Sequence, residues 1–130
     1  MSWKLATTMA AGIAIGTGAT QLYAQSKAPV YLVTEIILKD TDAYLKEYVP
    51  LAQANTKKYG VNEVARGSFR GPGPQVTGVE GEPPKRAVIQ MFENLEKMNE
   101  FRSSSDYKSA QAVGNKHAKF RSFTVESVAH

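Results

Sequence analysis

The chain has 130 residues, enough for one domain, and its 16 basic and 12 acidic side chains leave a net charge of +4. The cations form separate short clusters without a recognisable nucleic-acid module, so we expect a solvated mixed surface and no nucleic-acid partner. The chain contains no cysteine, which excludes disulfides, thiolate nucleophiles and cysteine-based metal sites.

The first element in chain order has the pattern of an export signal. Lys4 precedes a run of small and apolar residues at 5–19, and Ala24 supplies the small residue at which signal peptidase cuts. We therefore expect residues 1–24 to be a secretory signal peptide and residues 25–130 to be a single exported domain, periplasmic or secreted. The alternative is a retained membrane anchor, for which the Gly- and Thr-interrupted run is short, since a spanning helix needs about 20 apolar residues.

A strand follows the leader. Val30–Leu38 is almost continuously apolar and β-branched, which predicts a central strand. The period of two places Leu32, Thr34, Ile36 and Leu38 on one face, and Tyr31, Val33, Glu35 and Ile37 on the other. Glu35 is therefore an acid on an otherwise apolar strand face, where burial of its charge is costly without a partner of opposite charge.

The rest of the chain alternates between helices and strands. Asp40 is a favourable N-cap for a helix that Tyr59-Gly60 closes, and Pro50 predicts a kink inside that helix. The later elements are predicted as strands at 61–68, 75–79 and 85–92, helices at 94–102 and 107–118, and a last strand at 120–128. Strict alternation over 61–68 places Val64 and Arg66 on one face, and Glu63 and Ala65 on the other.

The order of elements predicts the fold class. If the short edge strand at 75–79 is left out as an addition to the basic fold, the order of elements is βαββαβ. This order favours an α+β, ferredoxin-like antiparallel sheet with the helices on one face. The second face carries Tyr31, Val33 and Ile37 and is too apolar for open water. We therefore expect a homodimer in which two sheets pack face to face as a dimeric α/β barrel.

Short motifs spread along the chain resemble one family. They are Val30-Tyr31, Asp40 with Ala43-Tyr44 and Tyr48, Tyr59-Gly60, Ala65-Arg66-Gly67, Glu80-Gly81, Pro84-Lys85-Arg86 and Ser105-Asp106-Tyr107. Together they are similar to the family called domain of unknown function 1330, and the leader resembles that of its exported subgroup. The resemblance covers residues 30–128 and implies a ferredoxin-like dimeric α/β barrel, but no reaction. Residues 69–76 look longer than the turn usual in the family, which affects the mouth of the adjacent pocket.

The best candidate site combines Glu35, Arg66 and Gln90. Arg66 is expected to join Glu35 on the face away from the helices, because arginine is the natural bidentate partner of a carboxylate. In the functional interpretation, Glu35 is a catalytic acid or base, and Arg66 binds an anionic group or an enolate-like oxygen. In the structural interpretation, the pair fixes the register or the dimer. The predicted ligand-binding residues are Tyr31, Tyr44, Arg86 and Gln90.

Three functions remain open at this point. The chain could be a binding protein for a small anionic or aromatic molecule, a cofactor-free isomerase or oxygenase-like enzyme that uses Glu35 and Arg66, or a structural or stress-related dimer without a ligand.

No metal or cofactor is expected, since the sequence lacks a metal-ligand cluster, a phosphate loop and a dinucleotide fingerprint. Some dimeric α/β barrels bind haem through one histidine. His117 is the only candidate inside the domain, and a partly exposed helix cap is its plainer interpretation.

Overall fold

Four strands form one antiparallel sheet in the computed structural model, which describes residues 28–128. The strands are β1 (Val30–Leu38), β2 (Asn62–Ser68), β3 (Arg86–Phe92) and β4 (Ala118–Glu126). Their spatial order is β2-β3-β1-β4, so the most apolar strand, β1, occupies a central position as predicted. The predicted signal peptide lies outside the described residues.

Three helices pack on one face of this sheet. Helix α1 consists of an α-helical turn (Thr41–Ala43), a π-helical turn (Tyr44–Tyr48) and an α-helical segment (Val49–Lys58), while α2 spans Leu95–Ser103 and α3 spans Ser105–His117. The sequence of elements and the strand order confirm the predicted ferredoxin-like α+β fold. Among residues 28–128, no helix is both long enough and apolar enough to cross a membrane.

The helix ends follow the local sequence signals. The Asp40 carboxylate accepts a hydrogen bond from the Ala43 amide at 3.1 Å, and the Ser104 hydroxyl accepts one from the Tyr107 amide at 3.1 Å. Each such cap satisfies an otherwise unpaired helix N–H and contributes about 0.5–2 kcal/mol. Helix α1 ends before Gly60, whose φ of +64° is readily adopted by glycine.

The π-helical turn explains how α1 accommodates Pro50. A proline inside a helix lacks an N–H, and its ring clashes with the carbonyl four residues earlier, here that of Lys46. The backbone widens just before it, so the Val49 N–H donates to the Tyr44 carbonyl, five residues back. The irregularity therefore falls where a kink is predicted, and it takes the form of a π turn that carries Tyr44 and Tyr48.

The core lies between the helices and the sheet in two groups of buried side chains. One group contains Leu32, Phe92, Met98 and Phe101, and the other contains Ile36, Tyr44 and Ala118. Burying one such large apolar side chain contributes about 1.5–3 kcal/mol. Every β1 member of the two groups belongs to the strand face that the alternation assigns to the core.

The prediction of a short edge strand at 75–79 is wrong. Only Gln75 pairs with the sheet, through a single parallel bridge to Ser68. The Gln75 side-chain amide instead donates to the carbonyls of Gly71 and Gly73, at 2.6 Å and 2.9 Å, which folds residues 69–76 into a tight loop. A Cβ on Gly67 would lie 2.8 Å from the Gln75 carbonyl carbon, so the close approach of this loop to β2 requires glycine.

Candidate functional site

A cavity of about 100 Å³, partly open to solvent, lies between α1, α3 and the sheet. Its aromatic and aliphatic lining includes Tyr44, Tyr48, Val49, Tyr107 and Phe120, while its polar lining on the sheet side is Thr34, Glu63, Arg66, Arg86 and Gln90. One wall is therefore aromatic and the other carries charge. A cavity with an apolar wall and a few convergent polar groups is the usual form of a small-molecule site.

The aromatic wall is built by the π-helical turn and β4. The ring centroids of Tyr44 and Tyr48 are 5.2 Å apart, and those of Tyr48 and Phe120 are 5.3 Å apart, both in tilted arrangements. Burial raises the pKa of Tyr44 and of Tyr48 above the ordinary value for a phenol. At neutral pH both hydroxyls are therefore protonated and can donate hydrogen bonds.

The positive wall consists of Arg66 on β2 and Arg86 at the start of β3. The Arg86 guanidinium lies over the Tyr44 ring, with Cζ 5.5 Å from the centroid, a cation–π geometry. Its Nε–H is buried and has no hydrogen-bond partner among residues 28–128. A buried, unpaired donor on a charged group is costly unless another molecule accepts from it, so Arg86 retains capacity for an anionic ligand.

Glu63 faces the same cavity because β2 contains a bulge. Glu63 lies opposite Gln90 and Ala65 lies opposite Ile89, so Val64 is the additional residue and the alternation is reset. The Glu63 carboxylate and the Arg66 guanidinium therefore share the helix-covered face, with Oε2 3.5 Å from Nη1. The predicted placement of Glu63 on the face opposite Arg66 is wrong for this reason.

A groove of about 270 Å³ adjoins the cavity on the side of the 69–76 loop. Its lining includes Ser68, Pro72 and Pro74 together with the two arginines, Arg66 and Arg86. Arg66 and Arg86 thus line both the cavity and this loop groove. A ligand held by the arginines has space on either side of them.

The predicted Glu35–Arg66 ion pair is wrong. Glu35 lies on the uncovered face of the sheet, where its Oε2 accepts from Nη1 of Arg121 at 2.9 Å. Arg66 lies opposite Val88, which pairs with Thr34 and not with Glu35, so the bulge has shifted Arg66 to the helix-covered face. Tyr31 shares the uncovered face with Glu35 and is likewise separated from the cavity.

The sequence of residues 29–128 matches the model of the family named domain of unknown function DUF1330. The chain belongs to the DUF1330 family. The match spans all four strands and all three helices, which confirms the resemblance seen in the short motifs. No curated protein is significantly similar to the chain.

Solved structures similar to this DUF1330 domain share its fold at low sequence identity. A protein of unknown function from Rhodopseudomonas palustris is 14% identical, with a TM-score of 0.54 over 85% of this chain and 94% of that one. A conserved protein of unknown function from Bacteroides thetaiotaomicron is 11% identical, with a TM-score of 0.52 over 78% and 99%. SnoaB, a cofactor-independent oxygenase from Streptomyces nogalater, is 7% identical, with a TM-score of 0.54 over 79% and 96%. These likenesses establish a common fold.

The DUF1330 domain thus brings together four of the six predicted site residues. Tyr44, Arg66, Arg86 and Gln90 line the cavity, whereas Tyr31 and Glu35 do not. The sequence-based prediction misses Glu63 as a site residue, because no residue type in β2 indicates that the strand contains a bulge. It also leaves Tyr48 out of the site, although the spacing of four residues from Tyr44 could have assigned both rings to one surface.

His117 lies away from the cavity lining. Its Nε2 is 3.0 Å from Oε1 of Glu47, and its backbone carbonyl accepts from the amides of Lys39 and Asp40. These contacts tie the end of α3 to the start of α1, which is the helix-end role expected from the sequence. In the part of the chain that the structure describes, no group of three His, Asp or Glu side chains is arranged to hold a metal ion.

Proposed function

We propose that this domain binds a small aromatic molecule carrying an anionic group, such as an aryl carboxylate. The observation that carries the proposal is that Arg66 and Arg86 line one side of a cavity whose other side is formed by Tyr44, Tyr48 and Phe120. The aromatic ring would pack against the wall by offset or edge contacts, and the anion would accept from the guanidinium groups.

The electrostatics of the cavity favour an anion over a neutral ligand. Two guanidinium groups face one carboxylate, that of Glu63, among the ionised side chains in its lining. Only Arg66 contacts that carboxylate, so the positive charge of Arg86 is not offset by an ion pair within residues 28–128. Hydrogen bonds between charged groups each contribute about 1.5–3 kcal/mol, which is enough to select acids over amides.

The available space suits a single ring with one substituent. An engineered cavity of about 150 Å³ accepts benzene. The cavity here is smaller, about 100 Å³, so a ligand of this size also needs part of the adjoining loop groove of about 270 Å³. The arginines lie at the junction of the two spaces. We therefore place the ring in the cavity and the acid at the junction.

Calorimetric titration with phenylacetate tests this function. The neutral phenylacetamide and the aliphatic acetate serve as matched probes that lack the charge and the ring. We expect measurable binding of phenylacetate alone, and Arg86→Gln should weaken it by about 10- to 100-fold through loss of a charge-assisted contact.

Lys108→Gln is the matched control, because it removes the same charge from an exposed position on α3 that lines neither the cavity nor the loop groove. Equal binding of phenylacetate and phenylacetamide would contradict the proposal. A protein that binds none of the three probes would favour the structural dimer without a ligand.

We further propose that the domain is a homodimer whose sheets meet at the uncovered face. Ile37, Phe123 and Val125 on this face are 56%, 40% and 48% exposed, which is unusual for a strand surface in water. A second copy that packs its own sheet on this surface would cover them as in a dimeric α/β barrel. The Glu35–Arg121 pair would then lie within the interface and help to fix the orientation of the two copies.

A cofactor-free enzyme of the oxygenase type is the second candidate. The fold is shared with the cofactor-independent oxygenase of Streptomyces nogalater, and Glu63 places a carboxylate beside Arg66 in the cavity. Glu63 replaces Glu35 in the acid–base role that the sequence suggested. Consumption of oxygen by the purified protein with an aromatic probe, measured polarographically, would favour this candidate over simple binding.

Export of the mature domain completes the proposal. It rests on the leader pattern at residues 1–24. Native mass spectrometry of protein from the exported fraction reports the N-terminus, the subunit number and any retained small molecule. A dimer that begins at Gln25 would support cleavage and dimerisation, while an intact N-terminus in the membrane fraction would favour the retained anchor.

A further inference from the structure

The cavity contains a carboxylate whose placement is not explained by anion binding. Glu63 opposes the arginines in charge, and a site that only bound acids would bind them more tightly without it. The bulge in β2 nevertheless turns Glu63 into the cavity, beside Arg66 and opposite Gln90. Bulges are frequent next to active sites, where they redirect a side chain.

The groups around Glu63 are those required for enolisation. A carboxylate can take a proton from carbon if the negative charge that develops on the neighbouring oxygen is stabilised. Arg86 supplies a buried N–H without a partner among residues 28–128 and a fixed positive charge. Glu63, Arg86 and Tyr44 all line the same cavity, so a carboxylate, a guanidinium group and a phenol surround one space.

We propose that the site catalyses reversible enolisation of 3-aryl-2-oxo acids, with Glu63 as the general base and Arg86 as the group that stabilises the enolate oxygen. The inference rests on the proposed binding of aromatic acids. The ring would pack against Tyr44 and Tyr48, and the carboxylate would be held by Arg66. The benzylic carbon, which lies between the ring and the oxo group, would then face Glu63.

The reaction balances without a redox partner. Glu63 removes a proton from the benzylic carbon, the C–H electron pair becomes the new carbon–carbon double bond, and the carbonyl π pair moves to oxygen as the enolate. Return of a proton from Glu63 to the same carbon restores the oxo acid. In deuterium oxide the Glu63 carboxyl exchanges with solvent, so each cycle can place deuterium on the benzylic carbon.

Proton NMR of phenylpyruvate in deuterium oxide tests the inference. We expect the protein to accelerate loss of the benzylic signal, and Glu63→Gln to lower the catalysed rate by about 100-fold or more, the range of general-base catalysis. The affinity of this variant for phenylpyruvate should be unchanged or tighter, because an opposing charge has been removed. Glu96→Gln, at an exposed position in α2, is the control and should exchange at the native rate.

The outcomes separate this inference from the binding function. Wild-type protein that binds phenylpyruvate without accelerating exchange would overturn the inference and leave the binding function intact. Exchange at the native rate by Glu63→Gln, shown to be folded by circular dichroism, would also overturn the inference alone. Wild-type protein that binds neither phenylpyruvate nor phenylacetate would overturn both. Restoration of part of the rate by Glu63→Asp would support the carboxylate as the base.

Discussion

The Glu63 carboxylate lies 3.5 Å from the Arg66 guanidinium on the helix-covered face of β2. The two residues are three apart, and in a regular strand their side chains would point to opposite faces. The extra residue at the bulge removes that opposition and creates an acid–arginine pair at the exposed edge of the cavity, where the Glu63 and Arg66 side chains are 37% and 52% exposed. The pair that the sequence suggested, Glu35 with Arg66, is thus replaced by Glu63 with Arg66.

Replacement of Gly114 should destabilise the domain and narrow the cavity. A Cβ at this position would lie 2.6 Å from Cδ1 of Tyr48 and 3.0 Å from Cζ of Phe120. Overpacking of this kind costs about 1–3 kcal/mol, against a gain of about 1 kcal/mol in helix propensity. We expect Gly114→Ala to lower the free energy of unfolding in urea and to weaken phenylacetate binding, because Tyr48 must move. Ser109→Ala, on the exposed side of α3, is the control. A more stable Gly114→Ala variant would show that the ring shifts without cost.

The contact between α1 and α3 should make stability fall at acid pH. The Lys58 ammonium donates to Asp106 at 2.7 Å and holds the pKa of that carboxyl below its ordinary value of 3.8. A lowered folded pKa contributes stability that is present above pH 3.8 and is lost as the pH falls through the folded value. We expect Asp106→Asn to reduce this loss at acid pH of the free energy of unfolding, measured in urea, whereas Glu82→Gln in the exposed loop should leave it unchanged. An identical loss of stability at acid pH in wild type and Asp106→Asn would show that the Lys58–Asp106 pair does not contribute to it.

Tyrosine ionisation should report the enclosed aromatic wall. Burial raises the pKa of Tyr48 well above the ordinary 10.0, so its hydroxyl stays protonated when free phenols have ionised. The unfolded chain loses this proton first, and stability therefore declines as the pH rises above 10.0. In an alkaline absorbance titration, Tyr48→Phe should remove amplitude from the late-ionising fraction. Loss of amplitude at the ordinary phenol pKa would instead place this ring in solvent.

A charge on the uncovered sheet face should dissociate the proposed dimer. Phe123 lies on β4 opposite Val33, and Phe123→Asp would bury an unpaired carboxylate against the second copy, at a cost of several kcal/mol, on the order of 3–5. We expect analytical ultracentrifugation to give a monomer for this variant. Val79→Asp, at a loop position that is 97% exposed, should remain dimeric. Wild-type protein that is itself monomeric would leave this face without the proposed partner.

Glu35 provides a direct test of which face carries the site. Its carboxylate accepts from Arg121 on the uncovered face and has no access to the cavity. Glu35→Gln should therefore keep phenylacetate affinity close to that of wild type, within about twofold or 0.4 kcal/mol. Its effect is expected on the dimer dissociation constant, measured by the same sedimentation assay. If Glu35→Gln lost affinity for phenylacetate but remained dimeric, the ligand site would instead lie on the uncovered face, inside the barrel that the two sheets form.

Local sequence determined most of the elements and the fold of this chain. The strand period of two in Val30–Leu38 assigned its faces correctly, Asp40 and the serine cluster before Tyr107 marked the helix starts, and the order of elements selected the ferredoxin-like sheet. These features depend on contacts between residues close in sequence, or on one pattern of burial, so a single sequence carries them. The family motifs are likewise local.

Only the tertiary structure decided which residues meet. The bulge at Val64 depends on how β2 pairs with β3, a relation between distant segments that leaves no local signature, and it alone places Glu63 and Arg66 in the cavity. The same sheet register pairs Glu35 with Arg121, and the π turn before Pro50 positions the Tyr44 ring against the Arg86 guanidinium. Side chains separated in sequence become neighbours through strand pairing, and a shift of one residue in that pairing exchanges the two faces of a strand.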